Sequence, residues 1–131
     1  MKMLLDTQCW LWSYFEPERL NRRAVKALEE IENELYFSVA SSWEISIKYQ
    51  LGKLHLPKPP GDFIPAQLVQ DQIKVLPIEN RHAFRVAQLP THHSDPFDRM
   101  LIAQAETESM ILLTADPRIM KYRVKTLWAA R

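Results

Sequence analysis

Four acids stand where the chain changes character. Asp6 stops the apolar run Met3-Leu4-Leu5, and Asp116 follows a second such run, Met110–Leu113, after Thr114 and Ala115. Glu44 falls in Ser41-Ser42-Trp43-Glu44, just after the strand-like Leu35–Val39. Asp98 falls in Asp95-Pro96-Phe97-Asp98, at the head of a very apolar helical stretch. Short continuous apolar runs fit strands buried on both faces. If the strands are parallel, their carboxyl ends share one edge, where open α/β sheets place their ligands. Asp6 has no basic neighbour, only Thr7 and Gln8, so it needs donors or a cation to stay charged. Several carboxylates at one edge repel one another, and a divalent cation is the economical way to hold them. An all-oxygen donor set favours Mg²⁺ or Mn²⁺ over zinc.

Each acid also has a plain local explanation. Glu44 follows Ser41 by three residues, the spacing of a capping box. Asp95 suits a helix N-cap, with Pro96 at the first helical position and Asp98 at the third. Asp116 suits a cap for a short helix begun by Pro117, and Asp6 a simple turn. A cap needs only one strong acid, so these readings leave Asp98 unexplained.

Other chemistries lack their parts. His92 and His93 read as a solvated loop pair within reach of a substrate. Cys9 is the only cysteine and lies in an apolar segment, as a buried small hydrophobe would. Gly52 and Gly61 are the only glycines, which excludes a Gly-rich phosphate loop. A nucleophile elbow is absent. An acid-nucleophile phosphatase wants a second Asp two residues after the first, where this chain has Gln8. A phospho-acceptor domain would need an acidic pair and a placed lysine. Among the bases, Lys48 is one turn beyond Glu44, Arg99 adjoins Asp98, and Arg118 follows Asp116. These three could meet a phosphate backbone, as could the looser cluster Lys121, Arg123 and Lys125, although solvated helix faces explain such residues more often.

The elements that must position the acids follow from the pattern. The chain has 131 residues, the size of one domain, 1–131. Its 17 Lys and Arg against 16 Asp and Glu exclude an indiscriminate nucleic-acid coat. One cysteine fits a reducing cytoplasm, and there is no leader and no run long enough to cross a bilayer. Strands are expected at 2–6, 35–39, 73–78, 110–113 and 124–128. Helices are expected from Trp10 to Phe15, Asn21 to Ile31, Ser41 to Leu51, Phe63 to Val69, Arg81 to Leu89 and 97 to 109. In the third of these, Trp43, Ile47 and Leu51 recur at four-residue spacing as a core-facing stripe. Strands alternating with helices predict an α/β fold with helices on both faces of the sheet.

The stretches MLLDTQ (3–8), SSWEISIK (41–48), HHSDPFDRMLIAQA (92–105) and ILLTADPRI (111–119) together resemble the PIN domain family, in particular the VapC-type ribonuclease toxins of toxin–antitoxin pairs. They run in family order over nearly the whole chain. The resemblance implies a three-layer α/β/α sandwich around a parallel sheet of about five strands. It implies that Asp6, Glu44, Asp98 and Asp116 form a catalytic, metal-holding site, with Asp95 auxiliary and Thr114 orienting Asp116 or a water. It implies metal-assisted hydrolysis of RNA leaving 5′-phosphate and 3′-hydroxyl ends, a cytoplasmic homodimer, and a cognate antitoxin laid over the cleft. Trp10, Trp12, Tyr14 and Trp43 would then serve either partner contacts or the core. The same fold without catalysis, as an RNA- or protein-binding module, is the alternative.

Overall fold

Residues 2–5 alternate sides as a strand must, and each side meets a different apolar layer. The computed structural model describes residues 1–131. Strand β1 (Lys2–Leu5) leads into α1 (Thr7–Phe15) and, after a 3₁₀ turn, α2 (Arg22–Glu29). Then come β2 (Glu34–Ser38), α3 (Val39–Gln50), α4 (Pro60–Gln70), β3 (Lys74–Leu76) and α5 (Asn80–Val86). The chain closes with α6 (Pro96–Thr107), β4 (Ile111–Thr114), a 3₁₀ turn at Ile119–Lys121 and β5 (Thr126–Trp128).

The five strands form one sheet in the order β3-β2-β1-β4-β5, and every pairing is parallel. Strand β1 is therefore central, with Leu4 opposite Tyr36 on one side and Leu112 on the other. Met3 and Leu5 pack with Trp10, Ala24, Phe63 and Leu68 from α1, α2 and α4. Leu4 and Leu112 face the other way, into Leu101, Ile102 and Ala105 of α6. The result is the expected α/β sandwich around a parallel sheet. The order changes direction at β1 and β4, so a crevice opens beyond their carboxyl ends.

Helix α3 departs from expectation in both start and face. It begins at Val39, because the Ser38 hydroxyl accepts the Ala40 N–H at 3.0 Å and caps it. Ser41 and Glu44 are therefore inside the helix, and no capping box joins them. The stripe Trp43, Ile47 and Leu51 faces outward, at 61%, 36% and 62% exposure. The buried face carries Ala40, Ser41, Glu44 and Ile45. Two of these four are polar, and Glu44 among them lines the crevice.

Two further expectations shorten. Helix α2 ends at Glu29, leaving Ile31 in solvent. Strands β3 and β5 keep only three residues each. No helix is long and apolar enough to cross a membrane.

Candidate active site

Asp6 is the N-cap residue of α1, directly after the central strand, and is 5% exposed. Its backbone N–H reaches across to the Leu113 carbonyl at 2.9 Å, tying the ends of β1 and β4 together. Its Oδ2 accepts the Thr114 hydroxyl at 2.8 Å. That hydroxyl oxygen in turn accepts the Asp116 N–H at 3.1 Å, so Thr114 sets the spacing between two acids. Burial pushes the Asp6 carboxyl up to about 6; the Thr114 bond opposes this and the Glu44 charge adds to it.

Glu44 reaches the same cleft from the second turn of α3. Its Oε2 pairs with Lys48 Nζ at 2.8 Å, one turn along the helix. Its Oε1 is buried and has no hydrogen-bond partner. A buried carboxylate oxygen without a donor is costly, so something else must answer that lone pair.

Asp98 enters from the first turn of α6. Asp95 caps this helix, accepting the Phe97 and Asp98 N–H groups on Oδ1 at 2.8 and 3.0 Å. Asp95 therefore has the cap role, which leaves Asp98 free to project into the cleft. Burial, then the charges of Asp6, Asp95, Glu44 and Asp116, push the Asp98 carboxyl up to about 8. Asp116 behaves oppositely. Burial raises it, but the hydrogen bonds and charge of Arg118 outweigh that and hold it below the ordinary carboxylate range.

The four acids line one cleft of about 410 Å³, together with Asp95, Lys48, Arg118 and Trp12. Lys48 and Arg118 stand at its mouth, each paired with an acid of the site. Arg99 is elsewhere. Its guanidinium donates to the carbonyls of Pro90 (2.7 Å) and Val86 (3.1 Å) and to the Tyr122 hydroxyl (3.1 Å), on the far side of α6. A planar fork with five donors is suited to such multiple carbonyl contacts.

His93 differs from expectation. His93 is not solvated: it is 5% exposed, and its Nε2 lies 2.8 Å from Asp98 Oδ2 and 3.1 Å from Asp116 Oδ2. Its neighbour His92 does remain exposed, edge-on to Tyr122. Cys9 is buried as expected, and burial, then the Asp6 charge, push its thiol far up, out of nucleophilic range. Among the aromatics, Trp10 is core, whereas Tyr14 and Trp43 are exposed.

A divalent cation fits these residues. The groups gathered there are carboxylate oxygens, one of them orphaned, with His93 Nε2 beside Asp98 and Asp116, and two carboxyls are driven upward by burial and then by neighbouring acids. A hard cation answers all three conditions.

Known proteins are similar to this chain in sequence and in fold. The profile of the PIN domain family matches residues 3–125. Ribonuclease VapC22 of Mycobacterium tuberculosis is 27% identical over 122 residues, 92% of each chain. Ribonuclease VapC16 of the same organism is 33% identical over 73 residues; that match spans 50% of this chain and 52% of the relative. In fold, the chain is similar to VapBC2 of Rickettsia felis, solved bound to a DNA fragment from its promoter, with a TM-score of 0.72 at 14% identity, covering 98% and 99% of the two chains. The family match over nearly the whole chain and the sequence relatives agree, and the chain belongs to the PIN domain family, related to its VapC-type members.

Proposed function

We propose that this chain is a metal-dependent endoribonuclease, the toxin of a toxin–antitoxin pair, acting as one nuclease domain. The observation that carries this reading is the convergence of Asp6, Glu44, Asp98 and Asp116, from four separate elements, on the crevice beside β1 and β4. The two mycobacterial relatives bear the name ribonuclease, and the Rickettsia structure is a VapBC complex, which supports the polymer and the partner.

Asp6, Asp98 and Asp116 would hold the first Mg²⁺ or Mn²⁺, and Glu44 would use its free Oε1 for a second ion or an attacking water. When bound, the metal supplies charge neutralisation at phosphorus and acidifies water for in-line attack. The chain's own side chains do the rest. Thr114 keeps Asp6 and Asp116 in register through its two hydrogen bonds. Lys48 and Arg118, at the mouth, meet the phosphates on either side of the scissile bond. Trp12 offers an aromatic wall for a base. Attack by water expels the 3′-oxygen, leaving 5′-phosphate and 3′-hydroxyl ends. A second copy and an antitoxin are the expected partners.

The test is cleavage of a total small-RNA pool by antitoxin-free protein with Mg²⁺, Mn²⁺ or EDTA, and with Asp98→Asn. Metal-dependent cuts that vanish in the variant are expected. Folded protein that neither cuts nor binds metal overturns the reading.

A further inference from the structure

Behind two of the cleft's acids lies a buried histidine that the acidic site does not require. His93 sits in the loop between α5 and α6, and that loop is pinned from outside. The Tyr122 hydroxyl accepts the His93 N–H at 2.9 Å. Arg99 holds the Pro90 carbonyl at 2.7 Å and reaches the His93 carbonyl at 3.4 Å. The ring is thereby delivered between Asp98 and Asp116, its Nε2 within 3.1 Å of an oxygen of each.

Two roles are compatible with that placement. His93 is either a nitrogen ligand to the metal or a donor that orients the two carboxylates. The ring's other nitrogen decides. Nδ1 accepts the backbone N–H of Asp95 at 3.3 Å, so Nδ1 carries no hydrogen. In a neutral imidazole the hydrogen is then on Nε2, which is a donor and has no lone pair to offer. Asp98 Oδ2 and Asp116 Oδ2 are both placed to accept that hydrogen.

Resting on the metal-centre reading above, we propose that His93 is a positioning residue whose Nε2–H clamps Asp98 and Asp116 together as one preformed chelating edge. Asp116 is held from the other side as well, since the Arg118 backbone N–H donates to its Oδ1 at 2.9 Å. Asp98 has only His93 to fix its side chain. Carboxylate ligands fixed by neighbouring donors bind metal more tightly than free ones, and losing such a donor typically lowers affinity about 10- to 100-fold.

The experiment uses the full chain with Mn²⁺ as probe. Affinity is measured by calorimetry for wild type, H93F and H93Q, with circular dichroism to verify folding, and bound Mn²⁺ is examined for directly coordinated ¹⁴N by pulsed electron paramagnetic resonance. The expected result is a loss of about 10- to 100-fold in H93F, recovery to within about 3-fold in H93Q through its amide N–H, and no directly bound nitrogen in wild type. A strong ¹⁴N coupling makes His93 a ligand and overturns the proposal. So does wild-type affinity in H93F, or a folded H93Q as weak as H93F. Should H93F fail to fold, H93Q and the nitrogen signature still decide. Wild-type protein that binds no Mn²⁺ overturns the metal centre itself, a distinguishable failure.

Discussion

Replacing Asp98 by Asn abolishes the proposed activity yet stabilises the metal-free protein. In the folded chain the Asp98 carboxyl is pushed up to about 8, from an ordinary value of 3.8, by burial and then by the surrounding acids. An acid raised by folding costs no stability below its unfolded value; the cost grows as pH climbs from 3.8 and is complete above about 8. At about 1.4 kcal/mol per pH unit above the ordinary value, folding with Asp98 held largely protonated costs about 4 kcal/mol at pH 7. The side chain is 15% exposed and the cleft is open to water, which screens part of the repulsion. The expected gain in Asp98→Asn is then about 2–4 kcal/mol at pH 7, because Asn keeps an oxygen for the His93 N–H and carries no charge. Urea unfolding in EDTA measures it. The gain should shrink below about 0.5 kcal/mol near pH 4, and saturating Mn²⁺ should close it by stabilising wild type alone. A variant no more stable than wild type in EDTA at pH 7, or a gain that persists at pH 4, refutes the repulsion argument.

Ser38→Ala removes the α3 cap and leaves the Gln104 Oε1, now bonded to the Ser38 hydroxyl, without its donor; about 2–3 kcal/mol should be lost in urea unfolding. Ile45→Ala, at 0% exposure, should cost about 2–5 kcal/mol. Trp43→Ser, on the outward face of the same helix, should change stability by less than about 1 kcal/mol. Equal costs at the two positions would reverse the assigned helix face. Arg99→Lys cannot span the carbonyls and hydroxyl that Arg99 holds, so it should cost about 1–3 kcal/mol while leaving the KM for RNA unchanged. Lys48→Ala should raise KM for RNA and also cost about 1–3 kcal/mol in metal-free unfolding, because it strips the half-orphaned Glu44 carboxylate of its partner; an unchanged KM would remove Lys48 from the substrate path.

What could be read before folding was the part carried by local pattern. Apolar runs ending in Asp6 and near Asp116 marked strands and the edge where they stop. Asp95-Pro96 marked a helix start, and Asp98 stood out because the cap did not need it. What could not be read depended on distant partners. His93 lies among Ser94, Asp95 and His92, a composition that reads as solvent. It is buried only because Tyr122, 29 residues on, fixes its backbone and two acids receive its ring. Helix α3 misled for a related reason. Its apolar stripe is the stronger periodic signal, yet the fold turns Ser41 and Glu44 inward, where Ser41 bonds Thr7 at 2.7 Å. Local rules fail most readily where a site must be built.

The sheet order also governs when the cleft exists during synthesis. Strand β1 is made first but stays half-paired until β4 arrives, and the Asp6–Thr114 bond spans 108 residues. At translation rates of about 5–20 residues per second, that interval lasts roughly 5–20 seconds. By its end Asp6, Glu44 and Asp98 have been made, but Asp116, just beyond Thr114, has not. Until Asp116 has been made the chain carries no complete acidic centre, so the four acids meet only after four of the five strands have been delivered.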